Sequence, residues 1–190
     1  MRNISKIILS MFLLTSAALS SAANQARVPV TGETGGVAGS ANGTAWPSGR
    51  FVVGSGANAN CVSDKLTGLM WVRDLNTVII KGSTTNGATN WQNALDSVKQ
   101  ANAAGGYCGY TDWRLPNVNE LKSLANYGQS SPAAWLNTQG FANVQANNYW
   151  SSTSYAPGTG GAWHVNFDNG YVGAGGMSNG SYVWPVRGGR

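Results

Sequence analysis

The chain has 190 residues, 42% hydrophobic and only 10% charged, with 26 Gly, 8 Trp and a formal charge of +5. Its basic residues are dispersed, with no run that would track a phosphate backbone, which argues against a nucleic-acid partner. What remains is the profile of a compact, turn-rich domain whose polarity comes from Asn, Ser and Thr.

Arg2 and Lys6 precede an apolar run, Ile7 to Leu14, and then small residues around Ser20-Ser21-Ala22. This reads as a secretory signal peptide over residues 1–22, too short in its apolar part to anchor the mature chain in a membrane. Its removal would leave ten basic against seven acidic residues, a charge of +3. The expectation is a secreted or periplasmic protein. Residues 23–45 are rich in Gly, Thr, Ala and Asn without apolar periodicity and read as a flexible leader, which leaves residues 46–190 as one domain.

Cys61 and Cys108 are the only cysteines, and in an exported chain they are expected to form one disulfide. Cys61 to Asp64 and Leu69 to Val72, separated by Lys65-Leu66-Thr67-Gly68, read as a hairpin. Asn90 can cap a helix whose Trp91, Ala94, Leu95, Val98 and Ala101 share a stripe, with Gly105-Gly106 as its stop. In the stretch Asp112 to Leu121, Pro116 keeps Leu115 extended, and Asn117 with Glu120 forms a capping box. A second helix should therefore start near Val118, with Val118, Leu121, Leu124 and Ala125 on its inner face and Trp113 and Leu115 at its base. That stretch reads as scaffold.

Residues 128–148, punctuated by Pro132, Trp135 and Phe141, read as a long loop pinned by aromatics. Short strands are then expected at Tyr149 to Ser154, Ala162 to Phe167, Tyr171-Val172 and Tyr182 to Val186, with Asp168-Asn169-Gly170 as a hairpin turn. Trp163, Val165 and Phe167 alternate with Ala162, His164 and Asn166, which predicts one apolar face and one open to solvent.

Four ordered motifs resemble the DUF1566 family, the domain at the C-terminus of the Legionella collagen-like adhesin. They are Thr67-Gly68-Leu69-Met70-Trp71; Asp112-Trp113-Arg114-Leu115-Pro116 with Glu120-Leu121; Tyr149-Trp150-Ser151-Ser152-Thr153; and Val186-Arg187-Gly188-Gly189. The resemblance implies an α+β, C-type-lectin-like fold: two helices beside a small, twisted, mostly antiparallel sheet with long loops. It also implies binding and adhesion rather than catalysis, with ligands that include sulfated polysaccharide. Trp184-Pro185 departs from the Arg-Cys that often precedes the final Val-Arg in that family.

Enzymatic readings find little support. Arg114-Leu115-Pro116 with Glu120 and the final Val-Arg-Gly-Gly also resemble formylglycine-generating enzymes, but that chemistry needs thiolates that a disulfide would remove. His164, the sole histidine, has Asp168 four residues later, yet no nucleophile elbow accompanies them. Zinc spacings, calcium loops and the Glu-Pro-Asn and Trp-Asn-Asp signatures of calcium-dependent lectins are missing, so neither a metal nor a cofactor is expected.

Composition points instead to a contact surface. Between Asn147 and Tyr182, Gly (8), Asn (5), Ser (5) and Tyr (4) supply 22 of 36 residues, and Asp168 is the sole charged side chain. Binding loops use this palette because Tyr gives contact area at low entropy cost while Asn, Ser and Gly adapt their hydrogen bonds. The expected contacts are Asn148, Tyr155, His164, Asn166, Asp168, Asn169, Tyr171 and Asn179, on the polar face of the C-terminal strands and their loops. The expected partner is a polysaccharide or a surface protein, with an assembly subunit of a pilus or surface complex as the alternative.

Overall fold

A computed structural model describes residues 49–82 and 87–188. The signal peptide, the leader and the domain start at residue 46 lie outside the described residues, as does Gly189. The described residues form an α+β fold with three α-helices and two small antiparallel sheets. In chain order these are β1 (Phe51–Val53), β2 (Cys61–Asp64), β3 (Leu69–Val72), α1 (Trp91–Ala103), α2 (Val118–Lys122), α3 (Pro132–Thr138), β4 (Asn148–Ser154), β5 (Gly161–Asn166), β6 (Val172–Gly176) and β7 (Val186–Gly188).

The first sheet has the order β1-β2-β3-β7 and the second β4-β5-β6. The β2–β3 hairpin pairs Cys61 with Val72 and Asp64 with Leu69, around Gly68 at φ +73°. Asp64 holds that turn, accepting from Leu66 N at 2.9 Å and Thr67 Oγ1 at 2.7 Å while its carboxylate takes the fork of buried Arg50.

Alternation along each strand sorts side chains into two cores. Val62, Trp71, Tyr149 and Val165 join Leu121, Leu124, Leu136, Phe141 and Trp184 in the first. Their neighbours Cys61, Val72 and Trp150 join α1 (Ala94, Val98, Ala101), Trp113 and Leu115 in the second. Both sheets are therefore walls between two apolar layers.

Both expected helix starts are present. The Asn90 side chain accepts from Asn93 N at 2.8 Å, and Asn117 with Glu120 forms the full capping box. Arg114 adds two 2.7 Å bonds to the Glu120 carboxylate. The Asp112–Pro116 segment is scaffold. Arg114 exchanges both backbone hydrogen bonds with Val186 at 2.9 Å, Pro116 O accepts from Ser152 N at 2.7 Å, and Trp113 Nε1 donates to Tyr107 O at 3.1 Å.

Four expectations need correction. Residues 128–148 are not one loop, because Ser131 caps α3 with Pro132 at its first position, where a missing N–H costs nothing. Helices number three among the described residues, not two. The last strand starts at Val186 rather than Tyr182, after Pro185, which has no N–H to give a ladder. The strand expected at Tyr171-Val172 begins at Val172 and runs on to Gly176, through glycines that pairing with β5 holds extended.

Cys61 and Cys108 are disulfide-bonded with Cα atoms 6.4 Å apart, closing a separation of 47 residues. Chain entropy assigns such a closure roughly 4 kcal/mol. The Cys61→Ser/Cys108→Ser double variant is expected to unfold at clearly lower denaturant than the parent, with an unchanged melting curve as the contrary result. Trp113→Ala should cost about 3–5 kcal/mol, since the ring is only 3% exposed. Its folded fraction should keep the parent's ligand affinity.

Candidate functional site

The second sheet carries the candidate site, with β5 at its centre. Trp163 and Val165 point to one face; Ala162, His164 and Asn166 point to the other. That second face is not wholly open, which corrects the expected division into core and solvent sides. Ala162 is fully buried beside Trp150, where α1 packs across the sheet. Trp91 Nε1 donates to Ser151 O at 2.7 Å and Trp150 Nε1 to Thr89 O at 2.9 Å, fixing that cover in place. Beyond Ala162 the face is half-exposed at His164 and Asn166.

Here β6 supplies a floor without side chains. Gly173 pairs with His164 and Gly175 with Ala162, so both glycines lie on this face. A Cβ on Gly173 would strike the ring of Tyr171, and one on Gly175 would come within 3.3 Å of His164 Nδ1 and 3.8 Å of the Asn179 amide. Tyr171 thus lies over one glycine, while His164 and Asn179 flank the next. Tyr171 is 63% exposed, a large ring in water held by the β-strand beneath it.

The turn completes the surface. Asn166 Oδ1 accepts from Asp168 N at 2.8 Å, Asn169 Oδ1 accepts from Tyr171 N at 2.9 Å, and Gly170 takes φ +79°. Asn166 Nδ2 also donates to Asn148 Oδ1 at 2.9 Å, so Asn166 is engaged at both ends of its amide. Asn148, His164, Asn166 and Tyr171 therefore share one face, with exposed Asp168 and Asn169 at one end of it; Asn179 stands at the other end of the strand, within 3.8 Å of the Cβ positions of both Gly175 and Gly176, which point to opposite faces.

Tyr155 does not join them. Its ring packs edge-on against Trp163 at 5.3 Å, and because Trp163 and His164 point oppositely, Tyr155 lies on the other face. There it borders a groove of about 280 Å³ with Gly158, Thr159, Gly160 and Ala174. These groove residues were not anticipated; the signal was the pair of glycine runs at 158–161 and 173–176, which meet across the sheet end. A cleft of about 450 Å³ lies elsewhere between Leu75, Val78, Ile80 and Tyr182, and among the described residues no charged side chain lines it.

Among the described residues no carboxylate bonds to His164, and no three His, Cys, Asp or Glu side chains gather where a metal could be held. Both cysteines are in the disulfide, so neither offers a thiolate. Among the same residues, no helix is long and apolar enough to cross a membrane.

Fold and surface together define an α+β domain that stiffens a small sheet between two cores and displays polar and aromatic groups at its C-terminal end. The chain belongs to the Lcl C-terminal domain family, whose profile matches residues 60–187. The resemblance to the C-terminal domain of the Legionella collagen-like adhesin is thus a family relationship, to an adhesin-associated domain rather than a known enzyme family. No curated protein matches the chain.

Burial holds the His164 imidazole below its ordinary value of 6.5, so the ring is neutral at pH 7. Because the folded value lies below the unfolded one, its contribution to stability is full above about pH 6.5 and is lost as pH falls toward the folded value. NMR titration of this single imidazole should give a midpoint below 6.5, and His164→Gln should flatten the stability profile between pH 7 and 5. A midpoint at or above 6.5 would show a ring more hydrated than its neighbours allow.

Proposed function

We propose that the protein is an exported, non-catalytic adhesion module that grips a polysaccharide through the His164 face of the second sheet. The observation that carries this reading is the glycine-floored shelf, on which Tyr171 and His164 stand on the face shared with Asn148, with Asn179 at the end of the strand. An aromatic face next to amides suits a sugar ring, whose C–H side stacks while its hydroxyls exchange hydrogen bonds. Membership of an adhesin-associated family supports it, although fold alone fixes no ligand. We take the overall arrangement as C-type-lectin-like, without the calcium that many such folds use for sugars. Signal peptide and disulfide together favour the periplasm or the exterior.

A shallow shelf binds weakly as a monomer, so affinity in place would depend on several copies acting together. The test is a glycan and host-matrix array probed with the mature protein, followed by titration of the strongest glycan against variants. Tyr171→Ala and Asn179→Ala are each expected to weaken binding by at least ~1 kcal/mol with the melting curve unchanged. Tyr155→Ala, on the opposite face, should leave that affinity alone. If Tyr171→Ala and Asn179→Ala both bind as the parent does, the shelf is not the site.

A further inference from the structure

The second sheet has two edges that differ in kind. The β4 edge is closed: Trp150 N donates to Tyr182 O, Tyr182 N to Asn148 O and Ser152 N to Pro116 O. The outer edge of β6 has no such cover among the described residues. The hydrogen-bond phase fixes which groups face outward. Asn166 N bonds to Tyr171 O at one end of the β5–β6 ladder and Met177 N to Gly160 O at the other. Between them Gly173 and Gly175 are the hydrogen-bonded partners of His164 and Ala162. The N–H and C=O groups of Val172 and Ala174, and the N–H of Gly176, therefore point away from the sheet.

Natural sheets usually guard such an edge with Lys, Pro, a bulge or a covering loop. Here the strand is Val172-Gly173-Ala174-Gly175-Gly176, without charge, Pro or bulge, and its five residues pair with β5 in unbroken register. A second observation indicates what the edge accepts. Val172, Ala174 and Gly176 share the Trp163 face, which is where the groove bordered by Tyr155 and Gly158 to Gly161 opens. Ala174 and Gly176 are too short to wall that groove off from the strand edge. A strand laid along β6 would place alternate side chains on the groove face, and the one beside Ala174 would reach into it.

We propose that β6 and this groove form a peptide-docking site that takes an extended segment of a partner protein as an added strand, anchored by one bulky apolar or aromatic side chain. Main-chain hydrogen bonds supply the general attraction and the groove supplies the selectivity. A second copy of this chain fits less well. Two β6 edges brought together would pair glycine and alanine and leave each groove without an anchor. The groove opens on the face opposite the His164 shelf, with Gly175 of the shelf floor also at its border.

The probe is a capped, fluorescein-labelled nine-residue peptide of alternating threonine and lysine with a central tyrosine, read by anisotropy against the mature protein. Saturable binding below roughly 1 mM is expected. N-methylation of alternate residues along its β6-facing edge should abolish the signal. Ala174→Pro, which removes an outward N–H and no β5 bond, should also abolish it. Tyr155→Ala should weaken the tyrosine peptide at least fivefold while leaving a version with central alanine unchanged. The methylated peptide is read on the parent protein, so the result does not depend on how any variant folds. The proposal is overturned by equal binding of methylated and unmethylated peptides, or by no saturable binding up to that concentration. Self-association in sedimentation that Ala174→Pro removes would assign the edge to a second copy, and would also overturn it.

Discussion

The seam between the two sheets is the constraint on which the rest of the domain depends. A five-residue segment, Asp112–Pro116, exchanges backbone hydrogen bonds with Val186 of the first sheet and accepts one from Ser152 of the second. Its side chains face the same way as its backbone connections demand. Trp113 and Leu115 enter one core, Arg114 pairs with Glu120 at the start of α2, and Asp112 takes the guanidinium of Arg187 at 2.7 Å. Arg187 is almost buried and also lies 3.8 Å from the ring centroid of Tyr110. The ion pair, the stacking and the cap meet at one chain segment, where both sheets and a helix start converge.

From this seam follows the stiffness of the candidate surface. β4 is held on one side by Tyr182 and Pro116 and on the other by β5, so the shelf built on β5 and β6 stands on a sheet fixed at its far edge. The ring cluster of Trp71, Phe141, Tyr149, Phe167 and Trp184 lies beneath it, with centroid separations of 5.2 to 5.8 Å. Aromatic cores of this kind combine large burial with defined geometry. Under the adhesive role proposed above, the face gains from such a base, since little ordering remains to oppose binding.

Much of the scaffold was legible because it is local. A capping box, a Gly68 turn and a lone cysteine pair are written within a few residues or by simple parity, and each appears as read. What escaped the sequence was non-local or ambiguous. Pro132 served equally as loop punctuation and as the first residue of a helix, and only the Ser131 cap with buried Ala133 and Leu136 decides between them. Alternation in β5 could not reveal that α1 covers part of the supposedly open face. The same parity put His164 and Asn166 on one face, as the pairing has them, but it could not place Tyr155, which follows a register shift between Trp150 and Ser154. The strand read at Tyr171-Val172 stopped short of Gly173, Gly175 and Gly176 because glycine has no strand preference of its own; their extended state comes from β5.

The β3–β7 pairing, which sets Leu69 opposite Gly188, also has a kinetic consequence. It joins residues separated by nearly the full length of the domain, and contacts of such high order form slowly because loop closure precedes any gain from pairing. The β2–β3 and β4–β5–β6 units are local and, by contact order, are expected to form before the β3–β7 pairing that completes the first sheet. Until Val186 meets both Trp71 and Arg114, the β3 edge stays open and the seam is unmade. In an oxidising compartment the Cys61–Cys108 bond shortens that search, tethering β2 near the seam before the C-terminal strand arrives.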